Sequence, residues 1–470
     1  MRLKALGAAL LFSTTALAQT PPADAPKTST PEGAGAAPQA APAPPPVTPA
    51  PPSAQIVAPV TPAAPAAPAA PAFTFALKGF VSMSAAWQNG GYFLSEGQQS
   101  LSATTPASPF IDKNSLTFDV RQSRFNFSVK GPQVLHGATP SAVLELDFFQ
   151  GFGGGNFGDV SLLNRMRTAY SELSWANGTQ RVQLGQQNDL IFAMAPTSLS
   201  HIGFPLGYFT GNLGWRRPGI FGFHNFAVNK DAKVEVAWEV GRSQWADAAA
   251  TIGGASVDPA LGGTTAAGGS QALGISRGEA SGLPAVEGRV TFTWGKLFNV
   301  WGAAHYNQVD LTGVGGVSNA APRTLNVNSY HVGAKLVYAG LTLAATGFTG
   351  QNVSPLIGQF IDFKIGPASN PDVETTGYWA QAGYNLTKEF SVWGFYGNQK
   401  PKKADAERAG LARIENTTTN VIAMYRDGGY GLSGEWINFQ TKNATYTSGL
   451  ISSTRTSKAD QFMLTANYFF

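Results

Sequence analysis

At 470 residues the chain is long enough for two or three ordinary domains, yet only 13% of it is charged, roughly half the share usual in soluble domains, while 43% is hydrophobic. Its formal charge of +4 falls to +2 once Arg2 and Lys4 are set aside, too weak a surplus to argue for a nucleic-acid partner. Cysteine is absent, which excludes a disulfide framework, a thiolate metal centre and a cysteine nucleophile.

Arg2 and Lys4, the apolar run from Ala5 to Leu17 and the small-x-small triplet Ala16-Leu17-Ala18 predict a secretory signal peptide over residues 1–18. Residues 19–72 follow with seventeen of the 31 prolines, mixed with Ala, Thr and Gly. Proline fixes φ and has no N–H, so this stretch is read as a disordered Pro/Ala-rich periplasmic segment. A spacer is the plain reading; a tether toward the cell wall is the sharper one, and no binding motif supports it.

From Phe73 the pattern changes. Phe75, Leu77, Val81 and Met83 share one parity, and Arg124-Phe125-Asn126-Phe127-Ser128-Val129-Lys130 alternates polar and apolar residues throughout. Lys233 to Val240 and Val286 to Trp294 repeat the rhythm. Period two is the strand signature, because successive side chains point to opposite faces. Mature segments lack the ~20 continuous apolar residues of a spanning helix. A chain apolar enough for lipid but without such a helix is left with closure into a barrel, which pairs every backbone N–H and C=O internally.

Residues 73–470 are therefore predicted to form an all-β domain, a transmembrane antiparallel β-barrel of sixteen strands. The connections alternate. Long ones are expected near 88–114, 150–162, 188–212, 243–284, 310–327, 350–373, 399–415 and 441–458. Short ones include Ala176-Asn177-Gly178-Thr179, Val228 to Ala232, Gly295 to Phe298, Ala339-Gly340-Leu341 and Asp427-Gly428-Gly429. Short periplasmic turns and long outer loops are the asymmetry of outer-membrane barrels. Tyr330, Tyr338, Tyr378, Trp379, Tyr384, Trp393, Tyr396, Tyr425, Tyr430 and Trp436 are expected near strand ends or on the lipid side, as aromatic girdles.

Phe462, Leu464, Ala466, Tyr468 and Phe470 share one face of the last strand. This resembles the C-terminal sorting strand of outer-membrane barrels and implies the barrel assembly machinery as a partner. The stretch from Gln122 to Leu190 resembles the DcaP-like porins, and more loosely Gram-negative trimeric porins. The carrying pieces are Gln122-Ser123-Arg124-Phe125, Leu144 to Phe149, Arg165 to Leu173, Leu184-Gly185-Gln186 and, after a loop, Arg216-Arg217-Pro218. The resemblance implies a bacterial outer-membrane location, a homotrimer and a pore for small, often anionic solutes. Members can carry an N-terminal coiled coil; the proline-rich segment here cannot form heptads.

Opposite the lipid parity lie Arg124, Asn126, Ser128 and Lys130 on the second strand, Glu145 and Asp147 on the third, and Arg165 and Arg167 on the fourth. One of Arg216 and Arg217 is expected to point inward. A charge on the lipid face costs about 2–4 kcal/mol at mid-bilayer, which places these residues in the lumen. They are read either as a selectivity filter favouring anions or as wall scaffolding. The third long loop is strongly apolar, with Phe192, Met194, Pro196, His201, Phe204, Pro205, Tyr208 and Phe209. It is expected to fold inward as a constriction, with a trimer contact as the alternative.

No residue set suggests catalysis: His136, His201, His224, His305 and His331 form neither HExxH nor a close pair. The chain is read as a non-enzyme without cofactor or metal. It is expected to pass small anionic or neutral solutes by passive diffusion. A non-conducting adhesin-type barrel and a substrate-specific sugar channel are the alternatives, the latter with a lumen ladder from Trp301, Trp379, Trp393 and Phe395.

Overall fold

The computed structural model describes residues 73–89, 92–93, 101–102, 114–149, 152–154, 160–162, 164–243, 277–310, 324–356, 358 and 371–470. The signal peptide and spacer expected over 1–72, and most of the long connection expected near 243–284, lie outside the described residues.

Seventeen strand segments form one antiparallel sheet, and two of them are halves of a single strand, so the closed barrel has sixteen strands. They are β1 (Thr74–Asn89), β2 (Asn114–Asp119 and Arg124–Lys130), β3 (Thr139–Asp147), β4 (Arg165–Trp175) and β5 (Gln180–Asn188). Next come β6 (Arg216–Ala227), β7 (Ala232–Gly241), β8 (Ala285–Trp294), β9 (Phe298–Asp310) and β10 (Thr324–Tyr338). The wall continues through β11 (Leu341–Gln351), β12 (Glu374–Asn385), β13 (Phe390–Pro401), β14 (Arg413–Asp427), β15 (Tyr430–Thr447) and β16 (Leu450–Phe469). Each strand pairs with the next, and β1 pairs with β16 from Phe80↔Phe469 to Asn89↔Asp460. Gly79 and Phe470 exchange two backbone hydrogen bonds of 3.0 Å, so the last residue is tied into the wall. Closure leaves no open edge in the body of the sheet.

The strands alternate as their sequences do. Phe75, Leu77, Leu116, Phe118, Val332, Val421, Leu432, Phe462, Leu464, Tyr468 and Phe470 are exposed on the outer face. Met463, Thr465 and Asn467, one residue out of phase, are buried inside. Tyr338, Tyr384, Tyr425, Tyr430 and Tyr468 edge the outer wall at the short-turn end, and Tyr306, Tyr330, Tyr378 and Tyr396 edge it toward the other. Two aromatic bands enclosing aliphatic side chains are what two lipid interfaces select. The expected girdle needs two corrections. Trp379 is fully buried on the inner face, and Trp393 is half-buried on that face. Both are odd-numbered on strands whose even residues, Tyr378 and Tyr396 among them, face out.

Among the described residues, the short connections lie at the end where β1 begins and β16 finishes, with one exception, the β15–β16 turn at the other end. The last of the expected long loops is absent. Where 441–458 was expected to be irregular, β15 and β16 continue as a hairpin turning at Ser448–Gly449, whose φ values of 52° and 80° suit a type I′ turn. A short helix, Lys403–Ala409, braces this hairpin: Tyr446 donates to Ala406 O and Leu411 O at 3.2 and 2.6 Å.

Candidate functional site

Two irregularities aim charged side chains into one arc of the lumen. In β2 the register against β1 shifts from Ser84↔Asp119 to Phe80↔Arg124, one residue more than the partner spans. The extra residue reverses the parity between the halves, and Arg121, Gln122 and Ser123 are all buried at the break. In β4 a bulge opposite Glu145/Leu146 turns both Arg167 and Thr168 inward. Bulges re-aim side chains in this way, and they concentrate near functional sites.

Arg165 meets Asp147 through Nε at 2.8 Å and Nη2 at 2.6 Å. Arg167 bridges Glu145 and Asp147, both at 2.7 Å. Arg124 lies 3.6 Å from Glu145. Three arginines thus share two carboxylates. Arg216 adds a fourth cation, its guanidinium 3.9 Å from the centre of the Trp215 ring that Arg165 also faces at 5.1 Å. Both members of the Arg216–Arg217 pair are buried, where one was expected inside and one out. Arg217 turns away from the arc, to Asp189 at 2.8 Å, Glu239 at 3.4 Å and Glu287 at 3.7 Å. Lys130 lies at the short-turn end of β2, six residues from Arg124, and is exposed.

The loop between β5 and β6, residues 189–215, lies inside the barrel. It is held at points around the wall. Ile191 N–H donates to Glu287 at 3.0 Å, and Thr197 exchanges two hydrogen bonds with the Gln381 amide at 2.7 and 2.8 Å. Glu435 accepts from Ser198 Oγ at 2.8 Å, Leu199 N at 3.2 Å and Ser200 N at 3.1 Å. Gln122 clamps the next residues of the loop. Its amide donates to Ser200 O at 2.7 Å and its carbonyl accepts from Ile202 N and Gly203 N at 2.8 and 3.1 Å. Arg165 and Arg167 donate to Gly203 O at 3.3 Å, and Arg124 donates to Ile202 O at 3.0 Å. Asn416 then holds Phe209 O at 3.0 Å on the return.

Apolar packing completes the hold. Leu199 and Leu206 pack against Trp379, Phe395, Ile422 and Met424, and Ile191 and Leu213 against Trp301 and Phe348. Two glycines allow this approach. A Cβ on Gly203 would strike the Phe149 ring, and one on Gly211, at φ +111°, would strike the Tyr378 backbone.

Of the loop residues singled out in the sequence, Phe204 stacks on Trp215 at 5.3 Å and Tyr208 donates to Gly214 O at 2.7 Å. His201 is buried, and burial lowers the pKa of its imidazole. Phe192, Pro196 and His201 line a cavity of about 530 Å³ with Arg124, Glu145, Arg167, Arg426 and Phe469. Sequence parity did not single out Gln122, Gln381 or Glu435 as site residues. Glu435, a carboxylate on the inward parity of a strand whose one other charged residue is Lys442, carried the usable signal.

No family model matches the chain, and no curated protein matches it. Among solved structures it is similar to the outer membrane channel DcaP of Acinetobacter baumannii, with a TM-score of 0.61 at 16% identity, covering 85% of this chain and 97% of that one. Salmonella typhi OmpF matches with a TM-score of 0.48 at 12% identity over 84% of this chain and 97% of that one. Pseudomonas putida OprB matches with 0.48 at 10% over 85% and 94%. The chain shares its barrel fold with that DcaP channel.

Proposed function

We propose that this chain is a channel of the bacterial outer membrane for passive diffusion of small hydrophilic solutes, preferring anions such as small carboxylates. The observation that carries the preference is the arc in which Arg124, Arg165 and Arg167 share two carboxylates, Glu145 and Asp147, set beside a loop that narrows the lumen. Guanidinium groups suit carboxylate oxygens, and an excess of fixed cations in a narrow pore favours anions. The arginines are scaffold and filter together. Their bonds to Asp147 and Gly203 O fix the loop, and the charge left over sets the field.

A homotrimer is the assembly expected of this architecture, and the outward Phe462, Leu464, Tyr468 and Phe470 of β16 are the face offered to the assembly machinery. The sugar-channel reading is weakened by the loop itself. Trp301, Trp379 and Phe395 are buried against it, which leaves no open aromatic path along those strands.

The test is single-channel recording of purified, refolded protein in a planar bilayer under a salt gradient. Stepwise openings in threes with an anion-selective reversal potential support the proposal. Cation selectivity overturns the anion preference, and a correctly inserted but silent barrel favours the adhesin-type reading.

A further inference from the structure

A second set of cations lies apart from the constriction, at the short-turn mouth. Lys130 closes β2 beside Thr74 and Ser141. Lys78 pairs with Asn126, which faces inward to Glu145. Lys233, Thr293, Asn299 and Lys335 form one row across β7, β8, β9 and β10, on the parity of the inward Trp301 and His331. Arg426, one residue from the Asp427 turn, packs over the inward Phe469 at 4.6 Å. The four lysines and Arg426 are exposed, and among the described residues no carboxylate pairs with any of the five. Two further inward arginines at this level, Arg181 and Arg289, are tied to Glu235 at 3.2 and 3.1 Å.

Unneutralised cations from β1, β2, β7, β10 and β14 therefore face the short-turn mouth. Such an arrangement focuses the field and raises the local concentration of counter-ions. Lysine suits this task, because its mobile ammonium accommodates anions of varied shape, where the arginines of the constriction are pinned in forks. We infer that the short-turn mouth, formed by Lys78, Lys130, Lys233, Lys335 and Arg426, is a binding site for polyvalent anions. Such ions bind there, next to the cavity that Arg124 and Arg426 line, and they block the pore from that side. This rests on the channel reading for its electrical readout only.

The experiment adds inorganic tripolyphosphate to one side of a bilayer holding the full-length protein. Because the chain has no cysteine, a single Thr454→Cys at the opposite, exposed end reports orientation by maleimide labelling. Block from the short-turn side is expected at a concentration about tenfold below that needed from the loop side. The combined K78Q, K130Q, K233Q and K335Q variant is expected to lose that difference. Equal block from both sides, or an asymmetry unchanged in the variant, overturns the inference. Binding of the trisulfonate dye pyranine to detergent-solubilised protein decides the matter without conduction. A tenfold loss of affinity in the variant sustains the site even where the barrel is silent and the channel proposal fails. An unchanged affinity removes it.

Discussion

Arg165 and Asp147 meet in a two-pronged ion pair of 2.6 and 2.8 Å across β3 and β4, and the Asp147 side chain is wholly buried beneath it. Arg167 reaches the same carboxylate at 2.7 Å. One aspartate thus orients two guanidinium groups whose remaining donors hold Gly203 O.

Replacing Asp147 by Asn removes the charge that both arginines share. Breaking a buried pair from one side costs about 3–5 kcal/mol, because the charge left behind is uncompensated. D147N is expected to unfold at lower temperature in detergent and, where folded, to shift the reversal potential further toward anions. An unchanged potential with normal stability separates the arc from selectivity.

Gln122 satisfies three backbone groups of the loop, so Gln122→Ala leaves Ser200 O, Ile202 N and Gly203 N without it. Unmet buried groups cost about 1–3 kcal/mol each unless water reaches them. The expected outcome is a barrel of normal stability with larger, noisier single-channel conductance. A current identical to the parent's shows that the loop does not depend on this clamp.

Glu435, three strands along the wall from Gln122, accepts from Ser198, Leu199 and Ser200. Its acceptor-only carboxylate suits three donors, whereas an amide turns two donors toward them. E435Q is expected to flicker more than E435D in single-channel records, and equal behaviour of the two argues that side-chain length, not acceptor character, sets the hold.

The loop also carries a pH dependence. Burial lowers the pKa of His201, so a released loop binds a proton more readily than the packed one. The packed form is fully favoured above the ordinary histidine pKa of about 6.5 and loses that advantage as pH falls from there toward the lowered value. Glu435 faces the same ring. Closures or flickering are expected to increase below about pH 6.5, and H201F to remove the part of that change nearest neutrality.

Trp379 is fully buried under Leu199 and Leu206. Large-to-small changes at such positions cost about 3–5 kcal/mol for an aromatic. W379A is expected to lower stability without altering any response to maltooligosaccharides. A loss of sugar block in this variant would revive the sugar-channel reading.

Much of the wall was legible because strand alternation is a local property. Phe75, Leu77, Val81 and Met83 declare one face, and Asn177-Gly178 and Ala339-Gly340 declare turns, without reference to distant residues. Trp379 and Trp393 misled because a tryptophan's preference for interfaces does not reveal which parity its strand has taken. The 441–458 segment misled because its Ser, Thr and Asn residues suit an exposed hairpin as well as an irregular loop.

The sequence by itself determined the barrel and its strand count, since both follow from period two and turn chemistry. Only the tertiary structure decided which arginines converge and what they hold. The break at Arg121–Ser123, the bulge at Arg167 and the path of the loop past Gln122, Gln381 and Glu435 join residues up to 237 positions apart. Contacts at that separation depend on closure of the whole cylinder, and no local pattern encodes them.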